Sequence, residues 1–141
     1  MTKVDFYVLG TSGDRARQHF ACRLAEKAYR LDNTIHIRTI DQRAAEQLDE
    51  LLWTFRDGSF VPHELSAGGS EPQSPITIGH GDSPRQKTDL LINLSNEIPA
   101  GYDSFPRVAE IVTSDDETRQ QSRKRYARYR ESGHTLETHK I

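Results

Sequence analysis

Six cations crowd into one stretch near the C-terminal end: Arg119, Arg123, Lys124, Arg125, Arg128 and Arg130, with Tyr126 and Tyr129 among them. Arg119, Arg123, Tyr126 and Arg130 are spaced i, i+4, i+7 and i+11, so a helix would carry them on one face. Guanidinium groups fork onto carboxylates, and tyrosine offers a flat apolar wall. Together they suit an acidic peptide that carries an aromatic residue or a free C-terminal carboxylate. They also suit single-stranded nucleic acid, whose bases stack on tyrosine. A solvated helix accounts for part of the pattern. Asp115, Asp116 and Glu117 lie at its start and the cations beyond, which complements the helix dipole. That account leaves the aromatics among the arginines unexplained.

A second stretch, LDELLWTFRDGSFVPHEL from Leu48 to Leu65, is apolar and aromatic. At about 100° per residue, Ala44, Ala45, Leu48, Leu51, Leu52 and Phe55 form one helical stripe that can face a core. Trp53, the single tryptophan, falls on nearly the opposite side. Asp57-Gly58 breaks the helix, and Phe60-Val61-Pro62-His63 follows, kept out of regular helix by Pro62. Trp53 beside an aromatic loop suits a surface covered by another protein. Periodicity alone leaves open a second core facing a neighbouring element.

Catalytic patterns are missing. Strand-like residues followed by Gly10-Thr11-Ser12-Gly13 resemble a nucleotide-binding turn, but neither the Gly-Lys-Ser/Thr of a P-loop nor the G-x-G-x-x-G spacing is present. A tight turn and helix cap explain these residues as well, so a small Rossmann-type nucleotide enzyme stays as an alternative. His19, His36, His63, His80, His134 and His139 make no H-x-x-x-H pair, and Cys22 is the only cysteine. No metal or other cofactor is expected. Cys22, mid-helix among alanines, reads as a small buried residue.

These residues must be positioned by a chain of 141 residues, a length that suits one domain. A net charge of −2 argues against a general nucleic-acid binder. No apolar run is long enough to span a membrane, and the single cysteine fits a reducing cytoplasm. Val4 to Leu9 reads as a strand, Asp14 to Leu31 as a helix ended by Asp32-Asn33, and Ile35 to Thr39 as a second strand. Asp41 caps the helix that leads into the aromatic stretch. Ser66 to Pro75 and His80 to Lys87 read as loops flanking a brief strand at Ile76 to Ile78. Leu90 to Leu94 fits a central strand buried on both faces, and Arg107 to Val112 is a further strand. A capping box at Ser114 to Glu117 starts the basic helix, which ends near Glu131 with Gly133 as its cap. Residues 134–141 read as a loose, flexible tail. Alternating strands and helices predict an α/β layer fold with a mostly parallel sheet.

VDFYVL near the start, LDELLWTFRDGSFVPHEL in the middle and RKRYARYRESGHTL at the end resemble the chi subunit of bacterial DNA polymerase III holoenzyme. The resemblance runs, in order, over nearly the whole chain. It implies a Rossmann-like three-layer α/β fold, its central sheet flanked by helices. It also implies a non-enzymatic accessory role, bridging the clamp loader to single-stranded-DNA-binding protein, with DNA contacted only indirectly. By position, Arg119, Arg123 and Tyr126 match the helix that takes the acidic C-terminal tail of that protein, and Gly133 matches the turn after it. The family has a lysine directly after the tyrosine. Here that position is Ala127, with Arg128 next, so either the shifted cation compensates or tail affinity is weaker; Arg128 and Arg130 complete the expected tail-binding set. Trp53, Phe60, Val61, Pro62 and His63 match the surface for the psi subunit, which a helicase-type partner uses in some relatives.

Overall fold

The computed structural model describes residues 2–58, 60–66, 74–81 and 88–141. Short apolar runs pair into one sheet: β1 (Lys3–Val8), β2 (Ile35–Arg38), β3 (His63–Leu65), β4 (Ile76–Gly79), β5 (Leu90–Asn93), β6 (Arg107–Val112) and β7 (Thr135–Lys140). Their order is β3-β4-β2-β5-β6-β1-β7, and every pairing is parallel. The helices are α1 (Asp14–Arg30), α2 (Gln42–Thr54) and α3 (Asp116–Glu131). Parallel strands need crossovers, which three of the connections supply as helices.

Strand alternation divides the core in two. Ile35, Ile37, Ile76, Ile78, Ile92, Ala109 and Ile111 pack with Ala21, Ala25, Ala45, Leu48 and Leu52 of α1 and α2. On the other face, Val4, Phe6, Leu91, Val108 and Val112 pack with Tyr129 of α3. The fold is thus a three-layer, Rossmann-like α/β arrangement, as expected, with a sheet that is wholly rather than mostly parallel. β5 lies fourth of seven and is buried on both faces, as its continuous apolar run predicts.

Local chemistry sets the element ends. Asp41 caps α2 as predicted, its Oδ1 accepting from the Ala44 N–H at 2.8 Å. α1 ends at Leu31, and Asp32 rather than Asn33 takes the left-handed backbone (φ 65°). The capping box at Ser114 does not form. Asp115 is the N-cap of α3, and its carboxylate accepts instead from the Gly13 N–H at 3.1 Å and the Thr113 hydroxyl at 2.7 Å.

The largest correction concerns the C-terminal segment. Residues 134–141 are not a loose tail. Thr135 to Lys140 pairs with β1 from Lys3 to Val8 and closes one edge of the sheet. Its burial alternates only weakly, because one flank is the sheet edge. Of the two expected loops, residues 67–73 and 82–87 lie outside the described residues.

Candidate functional site

The outer face of α3 and the last strand build a shallow groove. Arg119, Arg123 and Tyr126 line one wall, Thr138 and Lys140 of β7 the other, and Phe6, Val8 and Val112 the floor, around a volume of about 370 Å³. Tyr126 is half-buried, its ring 5.2 Å from Phe6 and tilted by 60°, so its ring is fixed by packing rather than free in solvent. Gly133 carries the chain from α3 into β7 with φ +84°, and a Cβ there would meet nothing within 4 Å. Glycine is needed for the backbone angle, not for space. Apolar floor and cationic rim give the groove the chemistry expected of the basic helix. Lys140 adds a cation that the sequence reading missed, because a tail read as loose has no fixed place.

The rest of the basic cluster divides. Arg125 and Tyr129 turn inward, so of the two tyrosines only Tyr126 adds aromatic surface to the basic helix. Tyr129 is fully buried, and its hydroxyl donates to Glu110 Oε2 at 2.7 Å. Arg125 donates through Nε to Glu110 Oε1 at 3.2 Å and through Nη1 to the Asn96 carbonyl. Arg128 is exposed on another flank, where it shares a shallow pocket with Lys124, Ile98 and Tyr102. Arg130 is exposed and lines neither pocket. Arg119, Arg123 and Tyr126 are thus brought together, while Gly133, Arg128 and Arg130 do not line the groove.

The aromatic stretch also divides. Trp53 is 53 % exposed and Phe60 83 % exposed, and Pro62 is exposed with them. Val61 and His63, expected on the same surface, are corrected to the interior. Val61 is 2 % exposed and belongs to the core beneath α2. The His63 ring reaches the Val61 carbonyl through Nδ1 at 2.7 Å and the Asp49 carbonyl through Nε2 at 2.9 Å. It lies 4.2 Å from the Trp53 ring. Alternation explains the split: in an extended segment successive side chains point to opposite sides. His63 therefore supports Trp53 from below instead of meeting a partner. The helix itself is two-faced as predicted, with Leu48 and Leu52 fully buried and Leu51 and Phe55 packed at the margin.

Several groups that could do chemistry elsewhere are engaged within the fold. At the Gly10 to Gly13 turn, the Asp115 carboxylate holds the Gly13 N–H where a phosphate would sit. That backbone hydrogen bond, with the Thr113 hydroxyl, keeps the Asp115 carboxyl below its ordinary range. The crevice at the carboxyl ends of the strands, about 400 Å³, sets Asp14, Asp41 and Glu117 against Arg17, Arg43 and Arg125. Rossmann-type ligands bind at such crevices, but these carboxylates offset the positive field an anion needs. Asp5, Glu137 and His139 bring metal-type ligand atoms within 4.8 Å of one another. Lys3 Nζ is 2.7 Å from Glu137 and Arg107 Nη2 is 2.8 Å from Asp5, so the chain supplies its own cations there. Cys22 is fully buried, and burial pushes its thiol up to about 12, which leaves no thiolate for attack.

Comparison with known proteins identifies the family. The family model for the DNA polymerase III chi subunit, HolC, matches residues 1–137. A DNA polymerase III subunit chi of Pseudomonas aeruginosa is 40 % identical over 141 residues, covering 100 % of this chain and 98 % of the relative. The subunit of the same name from Haemophilus influenzae is 34 % identical, covering 96 % of this chain and 95 % of the relative. That from Escherichia coli is 30 % identical, covering 98 % and 97 %. With the family model spanning nearly every residue and the relatives matching end to end, the chain belongs to the DNA polymerase III chi subunit family.

Proposed function

We propose that this chain is a non-catalytic bridge in the replication machinery. Its α3–β7 groove takes the acidic C-terminal tail of single-stranded-DNA-binding protein, and its Trp53–Phe60–Pro62 surface takes a psi-type subunit of the clamp loader or, in its place, a helicase-type partner. The observation that carries the reading is the groove. Arg119, Arg123 and Lys140 rim an apolar floor of Phe6, Val8 and Val112 with Tyr126 at its edge. An acidic peptide ending in an aromatic residue finds charge partners on the rim and an apolar seat below. The relatives named as DNA polymerase III subunit chi support the setting. Tethering supplies the mechanism. A weak tail contact gains strength once loader and coated strand are held together, because the second contact becomes intramolecular.

Calorimetric titration with an acidic peptide ending in a free aromatic carboxylate tests the groove. Arg123→Ala is expected to weaken binding by about tenfold or more, the worth of one charge-assisted hydrogen bond, and wild-type affinity should fall with added salt. Equal affinity for Arg123→Ala and wild type would put the tail elsewhere. A nucleotide-dependent enzyme is the runner-up. The Asp115 carboxylate at the Gly13 N–H counts against it, and nucleotide binding by calorimetry would restore it.

A further inference from the structure

We infer that the outward face of α1 is a contact surface for the phosphate backbone of single-stranded nucleic acid, separate from both surfaces above. Arg15, His19, Arg23, Lys27 and Arg30 are all exposed on this helix. On a wheel of about 100° per residue they fall within an arc of about 120°. Glu26 projects toward the same arc, but it is buried and held by Arg56 at 2.8 Å and Arg30 at 3.8 Å. Arg15, Arg23 and Lys27 have no carboxylate partner among the described residues. In a chain of net charge −2, such a segregated and unneutralised stripe is a local positive field.

The spacing favours a nucleic-acid strand over an acidic protein. Arg15, Arg23 and Lys27 fall on steps of eight and four residues, with His19 midway in the longer step, so these cations stand about 12 and about 6 Å apart along the axis. A stacked strand advances about 3.4 Å per phosphate, so the stripe can meet phosphates about two and about four apart. Protein partners anchor through apolar residues in desolvated pockets, and Trp53 and Phe60, the exposed aromatics of that kind, lie outside α1. At the N-terminal end of the stripe, Arg15, His19 and Arg23 share a shallow pocket of about 600 Å³ with half-buried Phe20, buried Leu9 and exposed Thr11. A base lifted from the strand meets aromatic surface there, as in sequence-tolerant single-strand binding. On α3, by contrast, Arg125 is committed to Glu110 and Arg119 and Arg123 line the groove proposed for the acidic tail.

Fluorescence anisotropy with a labelled oligothymidylate of about 20 nucleotides tests the inference, since it exceeds a typical site of about 4–16 nucleotides. For the wild-type chain, the logarithm of affinity should fall against the logarithm of salt with a slope near −2, about 0.7 for each of Arg15, Arg23 and Lys27. The double variant Arg23→Glu with Lys27→Glu should lose about tenfold or more at low salt and flatten the slope by about 1.4. The milder pair Arg23→Gln with Lys27→Gln should move the same way while keeping the wild-type circular dichroism. Arg119→Glu with Arg123→Glu should bind the oligonucleotide as wild type does, even where it loses the acidic peptide, which separates this surface from the groove. Unchanged binding by both α1 pairs would overturn the inference. So would a polyglutamate of similar charge binding as tightly as the oligonucleotide, because the stripe would then be a site for acidic protein.

Discussion

Glu110 is fully buried, and its oxygens accept from Arg125 Nε, the Tyr129 hydroxyl and Asn93 Nδ2. Burial pushes its carboxyl above the usual range, while Arg125 and the other donors pull it back. Burial pushes the Tyr129 phenol up, and the carboxylate beside it adds to the rise. Removing the acid strands a buried guanidinium, so Glu110→Ala is expected to cost about 3–5 kcal/mol by urea denaturation. A loss within about 0.5 kcal/mol, the scale of ordinary surface changes, would mean the network holds nothing together. His36 offers a pH test. Its Nδ1 lies 2.7 Å from the Thr77 hydroxyl, and burial, with Arg38 nearby, lowers its pKa to about 4. The unfolded chain protonates near pH 6.5, so the unfolded state binds the proton first as pH falls. The stabilisation is present above about pH 6.5 and lost on acidification toward pH 4, with a full size of about 3 kcal/mol. Urea denaturation at neutral and acidic pH should show His36→Gln losing less stability than wild type across that window, and parallel losses would contradict the assignment. The inward turn of Arg125 and Tyr129 is not legible in the sequence, because α3 has so few apolar residues that hydrophobic periodicity is silent. A buried polar network leaves no such signature.

Elements with strong patterns were legible. β1, α1, β2, α2 and β5 appear where apolar period or continuous apolar run places them, to within a residue or two. β3 has three residues, too few for any period to register. β7 reads THR-LEU-GLU-THR-HIS-LYS, polar at nearly every position, because as an edge strand it needs little apolar surface. Its place comes from pairing with β1, a contact between opposite ends of the chain that local sequence does not encode. The groove was half legible for the same reason. Arg119, Arg123 and Tyr126 follow from helical spacing, whereas Thr138 and Lys140 follow only from the fold. A chain ending at Gly133 should therefore expose the β1 edge, lower the urea midpoint and lose affinity for the acidic peptide. Wild-type affinity in a folded truncated chain would show that β7 is no wall of the site.

Across the whole molecule, the sheet separates the working faces. α1 and α2 pack on one side and α3 on the other. The exposed aromatic patch stands on the α2 side, around Trp53 and Phe60, and the cationic groove lies between α3 and β7. The two surfaces share no residue, so the proposed bridge requires that both partners be held at once. The most direct test is sequential binding. A psi-type subunit is immobilised, the chain is captured on it, and the acidic peptide is titrated onto the captured chain. Peptide affinity should match that of the free chain to within about twofold, the scale of additivity for distant sites. Trp53→Ala with Phe60→Ala should lose capture while keeping the fold and the peptide. A captured chain that no longer takes the peptide, or an aromatic double variant that loses both partners, would contradict a bridge built from two independent surfaces.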